Sequence, residues 1–330
     1  MALNVWDAPA CIPASSDLHL ITQNLNPLSI HPSVTEFLIQ RKKTIMHLTD
    51  YDTTVQFDAQ VMESKRITPV ESADEIRDIL LDVQGELNVQ AGQNIGVLAP
   101  GNEEFGQEHH LRLYTIADLP EKPEAGKTRI RLCVKRCWYI DPYNGERYRG
   151  LASHFLCDLQ AGDRLRICGP FGQAFPVPQE PDAVLILIGA GTGIAPFRAF
   201  VRHLYHHAPQ FQGRIWFFHG ARTGLDLLYM NDLQNDFAQY YDRGTFEAIA
   251  ALSQRPHWSD SIDWQSAISD RGEELWRLLS DSKTYVYLAG LEQIRDQLDA
   301  VFSHLAGKSE KWRRRKSELI AGQRWIELLY

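Results

Sequence analysis

The sequence predicts an all-β antiparallel barrel followed by an α/β unit built on a doubly wound, five-stranded parallel sheet. Three observations carry this expectation. Between about residues 54 and 178, short apolar strands are separated by glycine-centred turns. Beyond Pro176 and Pro178, strands alternate with helix-length segments. Within that second stretch, an uninterrupted apolar strand runs directly into a glycine-rich turn and an amphipathic helix. The 330 residues exceed what one core usually fills. The expected organisation is therefore an N-terminal extension over 1–50, the barrel over 51–178 and the α/β unit over 179–330.

In the extension, Pro9, Pro13, Pro27 and Pro32 interrupt polar stretches, and Pro32-Ser33 ahead of Glu36 is a capping pattern that starts a helix over about 34–46. Asp7 and Pro9 break any apolar core of a secretory signal. The longest apolar run, Ala183 to Ile188, falls far short of the roughly 20 residues that cross a bilayer. No membrane span and a cytoplasmic location are expected. Five cysteines, an odd number, argue against a disulfide framework, and Cys133 and Cys137 have no second pair to complete a metal site. A formal net charge of -8 disfavours nucleic acid as a partner. Two basic runs oppose that average, Arg41-Lys42-Lys43 and Lys311 with Arg313-Arg314-Arg315-Lys316.

Barrel strands are expected over 94–99, 112–116, 129–135 and 164–168, bounded by Gly92, Pro100-Gly101, Gly126, Gly145 and Gly162-Asp163, with a capping helix over 152–159. In the α/β unit, strands are expected over 184–188, 215–219, 246–252, 285–289 and 325–329. Helices near 227–241, 271–281, 291–306 and 310–321 join the helix after the first strand, where Phe197, Phe200, Val201 and Leu204 form one apolar stripe. A ligand of such a sheet belongs at the carboxyl ends of its strands.

Two motifs point to chemistry. Gly189-Ala190-Gly191-Thr192-Gly193-Ile194-Ala195-Pro196 joins the buried strand to its helix. Its glycines let the backbone approach a ligand, and amides at the helix start suit a pyrophosphate. The spacing is GxGxG rather than GxGxxG, so strand-turn-helix context carries the dinucleotide reading. Arg112-Leu113-Tyr114-Thr115 places Arg112 and Tyr114 on one strand face. A guanidinium for phosphate and a ring for stacking suit a flavin nucleotide. Taken alone, the pair reads more simply as an exposed Arg and a half-buried Tyr.

These blocks, in order with Leu132-Cys133-Val134-Lys135-Arg136, the segment from Gly150 to Leu159 and an aromatic-rich final strand ending in Tyr330, resemble plant-type ferredoxin-NADP reductase from about residue 55 to 330. The resemblance implies an FAD-binding barrel, an NAD(P)-binding α/β unit, and hydride transfer between NAD(P)H and FAD. Single electrons would pass to a separate acidic carrier such as ferredoxin or flavodoxin. Arg112, Tyr114 and Thr115 match the motif that holds the flavin pyrophosphate, stacks on the isoalloxazine and sits near its N5. Lys135 belongs to the block before Tyr139, which matches the ring that stacks on the FAD adenine. Gly150, Leu151, Ala152 and Ser153 match the segment that wraps the FAD phosphates. Gly191, Thr192 and Gly193 match the loop over the NADP pyrophosphate, and Tyr330 the ring that covers the flavin until nicotinamide displaces it. Tyr114, Thr115 and Tyr330 are thus the residues expected at the reacting atoms.

The sequence departs from the family at three nearby positions. Thr115 replaces a serine, Ala289 a cysteine, and Leu328 the carboxylate two residues before the terminal Tyr. Glu327 is adjacent to Leu328, but strand alternation points it to the opposite face unless a bulge intervenes. For the 2'-phosphate, Ser253 and Arg255 are the expected contacts, no Lys follows, and Trp264 is placed to stack on adenine. Arg255 stands one position late and reads nearly as well as a surface residue beside Pro256, so NADP is expected from the resemblance, with NAD open. His203 and His207 lie four apart on a helix without an HExxH pattern, and His109-His110 are expected in a loop. The basic segment over 311–316 is either a solvated face or a docking surface for an acidic carrier. Two other readings are the reductase component of a multicomponent oxygenase and a flavin-binding subunit with weak or no NAD(P)H activity.

Overall fold

Alternation of apolar and polar residues dictates the first half of the chain. In the computed structural model, which describes residues 48–101, 106–208, 210–241, 243–256 and 261–330, this half contains eight strands and one helix. They are β1 (Gln56–Arg66), β2 (Ile76–Gln84), β3 (Asn94–Pro100), β4 (His109–Thr115), β5 (Lys127–Lys135), β6 (Trp138–Ile140), β7 (Arg147–Arg149), α1 (Leu151–Asp158) and β8 (Arg164–Phe171). The expected helix over 34–46 and the Arg41-Lys42-Lys43 run lie outside the described residues. Six strands form one antiparallel sheet in the order β4-β3-β8-β1-β2-β5. Its two end strands meet just past β4, where Ile116 bridges Leu132 and the Ala117 amide donates to the Arg131 carbonyl at 2.8 Å. That contact curls the sheet into a barrel. Along β5, Thr128, Ile130 and Leu132 are buried while Lys127, Arg129 and Arg131 face outward, the period-two pattern of a half-buried strand. Leu156 and Cys157 of α1 plug the same core beside Ile130, Leu132 and Val134.

The second half contains β9 (Val184–Ala190), α2 (Ala195–His207), β10 (Arg214–Ala221), β11 (Phe246–Leu252), α3 (Trp264–Ser269), α4 (Gly272–Leu278), β12 (Thr284–Gly290), α5 (Gln293–Leu305), α6 (Ser309–Ala321) and β13 (Trp325–Leu329). The five strands are parallel in the order β11-β10-β9-β12-β13. Strand order reverses between β9 and β12, which opens a crevice at their carboxyl ends. β9 is buried from Val184 to Gly189 because it feeds two cores. Leu185 and Leu187 pack with Phe197, Phe200 and Leu204 of α2 on one side. Ile186 and Ile188 pack with Leu275, Leu298, Phe302 and Trp312 on the other.

The helix expected near 227–241 does not form. Tyr229 takes a φ of 60°, and the Asn231 side chain accepts the amides of Leu233 and Gln234 while donating to the Ile67 and Leu225 carbonyls. These bonds satisfy the backbone in a turn, leaving only a 3-10 segment, Asp236–Tyr240. Among the described residues, no helix is long and apolar enough to cross a membrane.

Charged groups join the two sheets. Arg198 of α2 donates to the Ala117 carbonyl at 3.0 Å and pairs with Asp118 at 3.0 Å and with Asp236. Arg202 pairs with Asp118 at 2.8 Å. The buried Tyr229 hydroxyl donates to Asp78 of β2 at 3.0 Å, and Arg131 pairs with the same carboxylate. Each buried carboxylate here is matched by a guanidinium, as burial of charge requires.

Candidate functional site

On the barrel side, β4 pairs with β3 so that Arg112 lies opposite Val97, Tyr114 opposite Ile95 and Thr115 opposite Asn94. Arg112 is exposed, whereas Tyr114 rests on the barrel core, and burial pushes its phenol well above the ordinary range. The Thr115 hydroxyl donates to Asn94 Oδ1 at 2.6 Å, which fixes its direction. His109 and His110 are the first two residues of β4, opposite Pro100 and Ala99, and not part of a loop. Polar composition concealed a strand end on the barrel rim.

The next wall is α1 and the chain leading into it. The Ser153 hydroxyl accepts the Cys137 amide and donates to the Gly150 carbonyl, both at 3.1 Å. The Gly150 amide donates to the Cys137 carbonyl at 3.0 Å. No side chain caps the start of α1, and a Cβ on Gly150 would sit 2.8 Å from Ser153 Oγ. The helix start is thereby kept bare, as an anion-binding terminus requires. Leu151 is exposed and Ala152 buried beneath it. Lys135, at the end of β5, pairs with Asp74 at 2.5 Å. Tyr139 lies on the exposed β6–β7 hairpin. Buried His154 holds Nδ1 3.2 Å from the Gly150 carbonyl, while its buried Nε2 has no protein partner.

Facing these elements is the glycine turn, Gly191–Ile194, which packs against the ends of β5 and β12. Gly191 has a φ of 54°, and a Cβ on Gly193 would lie 2.5 Å from the Ala289 carbonyl oxygen. Only glycine allows this approach. The Thr192 hydroxyl lies 2.6 Å from the Tyr330 hydroxyl. The Tyr330 amide donates to the Gly290 carbonyl at 3.1 Å, and its carbonyl accepts the Glu292 amide at 3.3 Å. The terminal residue is thus fixed at the switch point of the sheet, with about half of its surface, 54%, exposed.

Strands β12 and β13 pair without a register shift, with Ala289 opposite Leu328. Leu328 packs toward the core that holds Ala289. Glu327 faces the other way, where Arg295 donates to it at 3.1 and 3.0 Å and Trp325 Nε1 at 2.7 Å. Burial opposes its ionisation, but the Trp325 and Arg295 bonds prevail and hold the carboxyl below its usual range. Glu327 therefore cannot stand in for the family carboxylate.

Ser253 and Arg255 follow β11 at the same carboxyl edge, two strands from the glycine turn. Ser253 is buried, and exposed Arg255 lines a cavity with Gln254, Asp263 and Gln297. The expected adenine contact at Trp264 fails. This ring is 1% exposed, packs against Gly220 and donates to Gln297 Oε1 at 3.1 Å. It is a core residue whose position in the sequence resembled a surface one. Arg222, not singled out from sequence, directly follows β10 beside this edge and donates to the Pro256 carbonyl at 2.8 Å. Its signal was a cation directly following a buried strand.

Other sequence features lie apart from this site. His203 and His207 stack at 5.9 Å on α2, and among the described residues no cluster of three His, Cys, Asp or Glu side chains suits a metal. The four described cysteines, Cys133, Cys137, Cys157 and Cys168, are free. On α6, Arg313 pairs with Glu310, Arg314 with Glu318 and Lys316 with Asp299, while Lys311 sits over Trp276 at 4.8 Å.

The oxidoreductase NAD-binding domain family matches residues 187–299. Leaf isozyme 1 of chloroplastic ferredoxin--NADP reductase from Arabidopsis thaliana is 33% identical over 269 residues, covering 80% of this chain and 74% of that protein. Ferredoxin--NADP reductase from Picosynechococcus sp. is 29% identical over 309 residues, covering 91% and 75%. In solved structures, ferredoxin-NADP+ reductase from Plasmodium falciparum shares the fold with a TM-score of 0.61 at 20% identity, covering 85% of this chain and 98% of that one. The same protein with 2'P-AMP gives 0.58 at 20% identity, covering 74% and 91%.

Proposed function

This chain belongs to the ferredoxin-NADP reductase family, and from that premise we propose that it is an FAD enzyme exchanging a hydride with NADP(H) and single electrons with a ferredoxin-type carrier. Bound FAD supplies both the hydride chemistry and the one-electron chemistry. Residues 51–178 form the flavin-binding half in this proposal, and residues 179–330 the nucleotide-binding half. The observation that carries the reading is the 2.6 Å contact between Thr192 and Tyr330. It ties the glycine turn to the terminal ring at the switch point, where a nicotinamide would have to enter.

The barrel-side residues fit a flavin. Arg112 offers a guanidinium to the pyrophosphate, Tyr114 a ring to the isoalloxazine, and Thr115 a hydroxyl oriented by Asn94 near the reacting edge. Gly150, Leu151, Ala152 and Ser153 present the bare start of α1 to phosphate, with Lys135 and Tyr139 flanking it. Gly191, Thr192 and Gly193 receive the NADP pyrophosphate, and Ser253 with Arg255 the 2'-phosphate. The relative with 2'P-AMP supports NADP, and NAD is the second cofactor to test. Ala289 and Leu328 leave neither thiol nor carboxylate at two family positions. Hydride transfer needs no acid or base there, so flavin reduction is retained. Rapid mixing of the FAD-loaded protein with NADPH and with NADH tests this. Bleaching near 450 nm is expected from the flavin chromophore, about tenfold faster with NADPH if Arg255 engages phosphate. A flavin that stays oxidised with both nucleotides would sink the reading and leave a flavin-binding subunit.

The relatives named above are ferredoxin–NADP reductases, which favours a ferredoxin-type partner over an oxygenase component. Docking of that acidic carrier would use α6. If Arg314→Glu leaves the salt dependence of electron transfer unchanged, this surface is wrong. The cytoplasmic assignment belongs to this proposal, while the Arabidopsis relative is chloroplastic by its name.

A further inference from the structure

Two kinds of contact hold the barrel against the α/β unit, and they fall in different places. The chain after β10 grips the β1–β2 end of the barrel: Asn231 donates to the Ile67 carbonyl at 3.0 Å, Lys65 to the Leu233 carbonyl at 3.1 Å, and the Tyr229 hydroxyl to Asp78 at 3.0 Å. Ser72 adds a bond from its hydroxyl to Asp226. None of these residues belongs to the glycine turn, to α2 or to β4. Arg198 lies instead at the start of α2, five residues past Gly193, and its guanidinium reaches the segment that directly follows Thr115. Nη1 donates to the Ala117 carbonyl at 3.0 Å and lies 3.0 Å from Asp118, while Nε donates to Asp236. The flat face of the group rests over the Tyr229 ring at 4.8 Å. The chain that accepts it is itself fixed, because the Ala117 amide donates to the Arg131 carbonyl where the barrel closes, and the Ile116 amide to the Gln93 carbonyl at 3.2 Å. The Arg198 side chain is 13% exposed, so water screens its contacts less than those of Arg202, 40% exposed, which meets Asp118 one turn further along α2.

We propose that Arg198 is a positioning residue for hydride transfer, setting the separation between the glycine turn and the Arg112–Thr115 motif by acting on the chain rather than on the cofactors. This role rests on the flavoenzyme reading above and adds a residue to it. A planar guanidinium with Nε and Nη1 on two different segments fixes direction as well as distance, whereas a lysine ammonium keeps the charge but not the fork. The Asn231, Lys65 and Tyr229 bonds stay in place without Arg198, so its loss should leave the halves together and let the two motifs drift. Hydride transfer is the step that feels such drift, because reacting atoms must lie about 3–3.5 Å apart and a displacement of about 1 Å can cost about a hundredfold. The test is single-turnover reduction of the FAD-loaded full-length protein over a series of NADPH concentrations, for the natural chain, Arg198→Lys, Arg198→Gln and Arg202→Gln. Both Arg198 variants should lose about ten- to a hundredfold in limiting rate, with half-saturation by NADPH and the FAD dissociation constant within about threefold of the natural chain. Arg202→Gln, which removes another partner of Asp118, should keep its limiting rate within about twofold. In the flavin-free protein, amide hydrogen exchange should quicken over 115–118 and 191–194 in Arg198→Lys and stay unchanged over β1 and β2. A limiting rate in Arg198→Lys within about twofold of the natural chain would overturn the proposal, as would an equal loss in Arg202→Gln or unaltered exchange at the two motifs. Failure of both Arg198 variants to hold FAD would mark the residue as merely structural and overturn it too. A natural chain whose flavin NADPH does not reduce would instead overturn the flavoenzyme reading beneath it.

Discussion

β4 and β9 each present one of the two motifs, and they do so by opposite means. β4 is a rim strand on which no residue is fully buried, so in the proposed function Arg112, Tyr114 and Thr115 would meet the ligand through side chains. β9 is buried on both sides, and in the same proposal its motif would act through a backbone stripped of side chains at Gly191 and Gly193. Ligand contact and fold are therefore separable on the barrel and inseparable on the parallel sheet. Substitution of exposed Arg112 on β4 should cost affinity alone, whereas substitutions in the glycine turn should cost affinity and packing together.

The strongest challenge to that contrast is Gly193→Val. With a Cβ only 2.5 Å from the Ala289 carbonyl, the turn must move off β12. A loss of about a hundredfold or more in kcat/KM for NADPH is expected, with a lower Tm, because overpacking costs roughly 1–3 kcal/mol. Near-normal values for both would end the argument from close backbone approach. On the barrel, Arg112→Ala should weaken FAD binding by about thirtyfold, the equivalent of about 2 kcal/mol for a charge-assisted contact. The Tm of the flavin-free protein should stay within about 1 °C, since an exposed surface position carries little stability. Calorimetric titration and thermal scans of one preparation would expose any coupling. A smaller effect is expected from Tyr330→Phe, which keeps the ring and removes its tie to Thr192. A ring released from a hydrogen bond worth about 1 kcal/mol yields more easily, so NADP+ should bind about fivefold tighter in a difference-spectral titration.

The least effect on the reaction belongs to Glu327→Gln, whose carboxylate faces away from Ala289 toward Arg295. The rate of flavin reduction should not change, but Tm at pH 7 should fall by about 5 °C for the loss of roughly 2 kcal/mol. The folded carboxyl lies below its unfolded value of about 4.3, so its contribution is present above that pH and fades as pH falls through the depressed folded value. The acid limb of Tm against pH should therefore be flatter in Glu327→Gln. An unaltered limb would mean that the Arg295 bonds add nothing.

The same contrast explains what was legible in the sequence. The glycine turn could be read because strand, turn and helix are contiguous, and Arg112 to Thr115 because one strand carries all the motif's side chains. β1 escaped because its sequence is mostly polar and interrupted by a register shift near Val61 and Glu63. Trp264 was misplaced because position along a chain does not reveal which side of a sheet a short helix turns toward. The pairing of Asp78 with Tyr229, and of Asp118 with Arg198, was hidden because the partners lie 151 and about 80 residues apart and meet only in the fold.

The distribution of those last charges has a practical corollary for anyone dividing the molecule. A cut near residue 178 would leave Asp118 on one fragment and both of its guanidiniums, Arg198 and Arg202, on the other, while Asp78 keeps Arg131 and Arg198 keeps Asp236. The fragments would carry complementary poles where they once touched. Their reassociation should then be fast in dilute buffer and slow in concentrated salt, which makes ionic strength a switch for complementation between separately made halves.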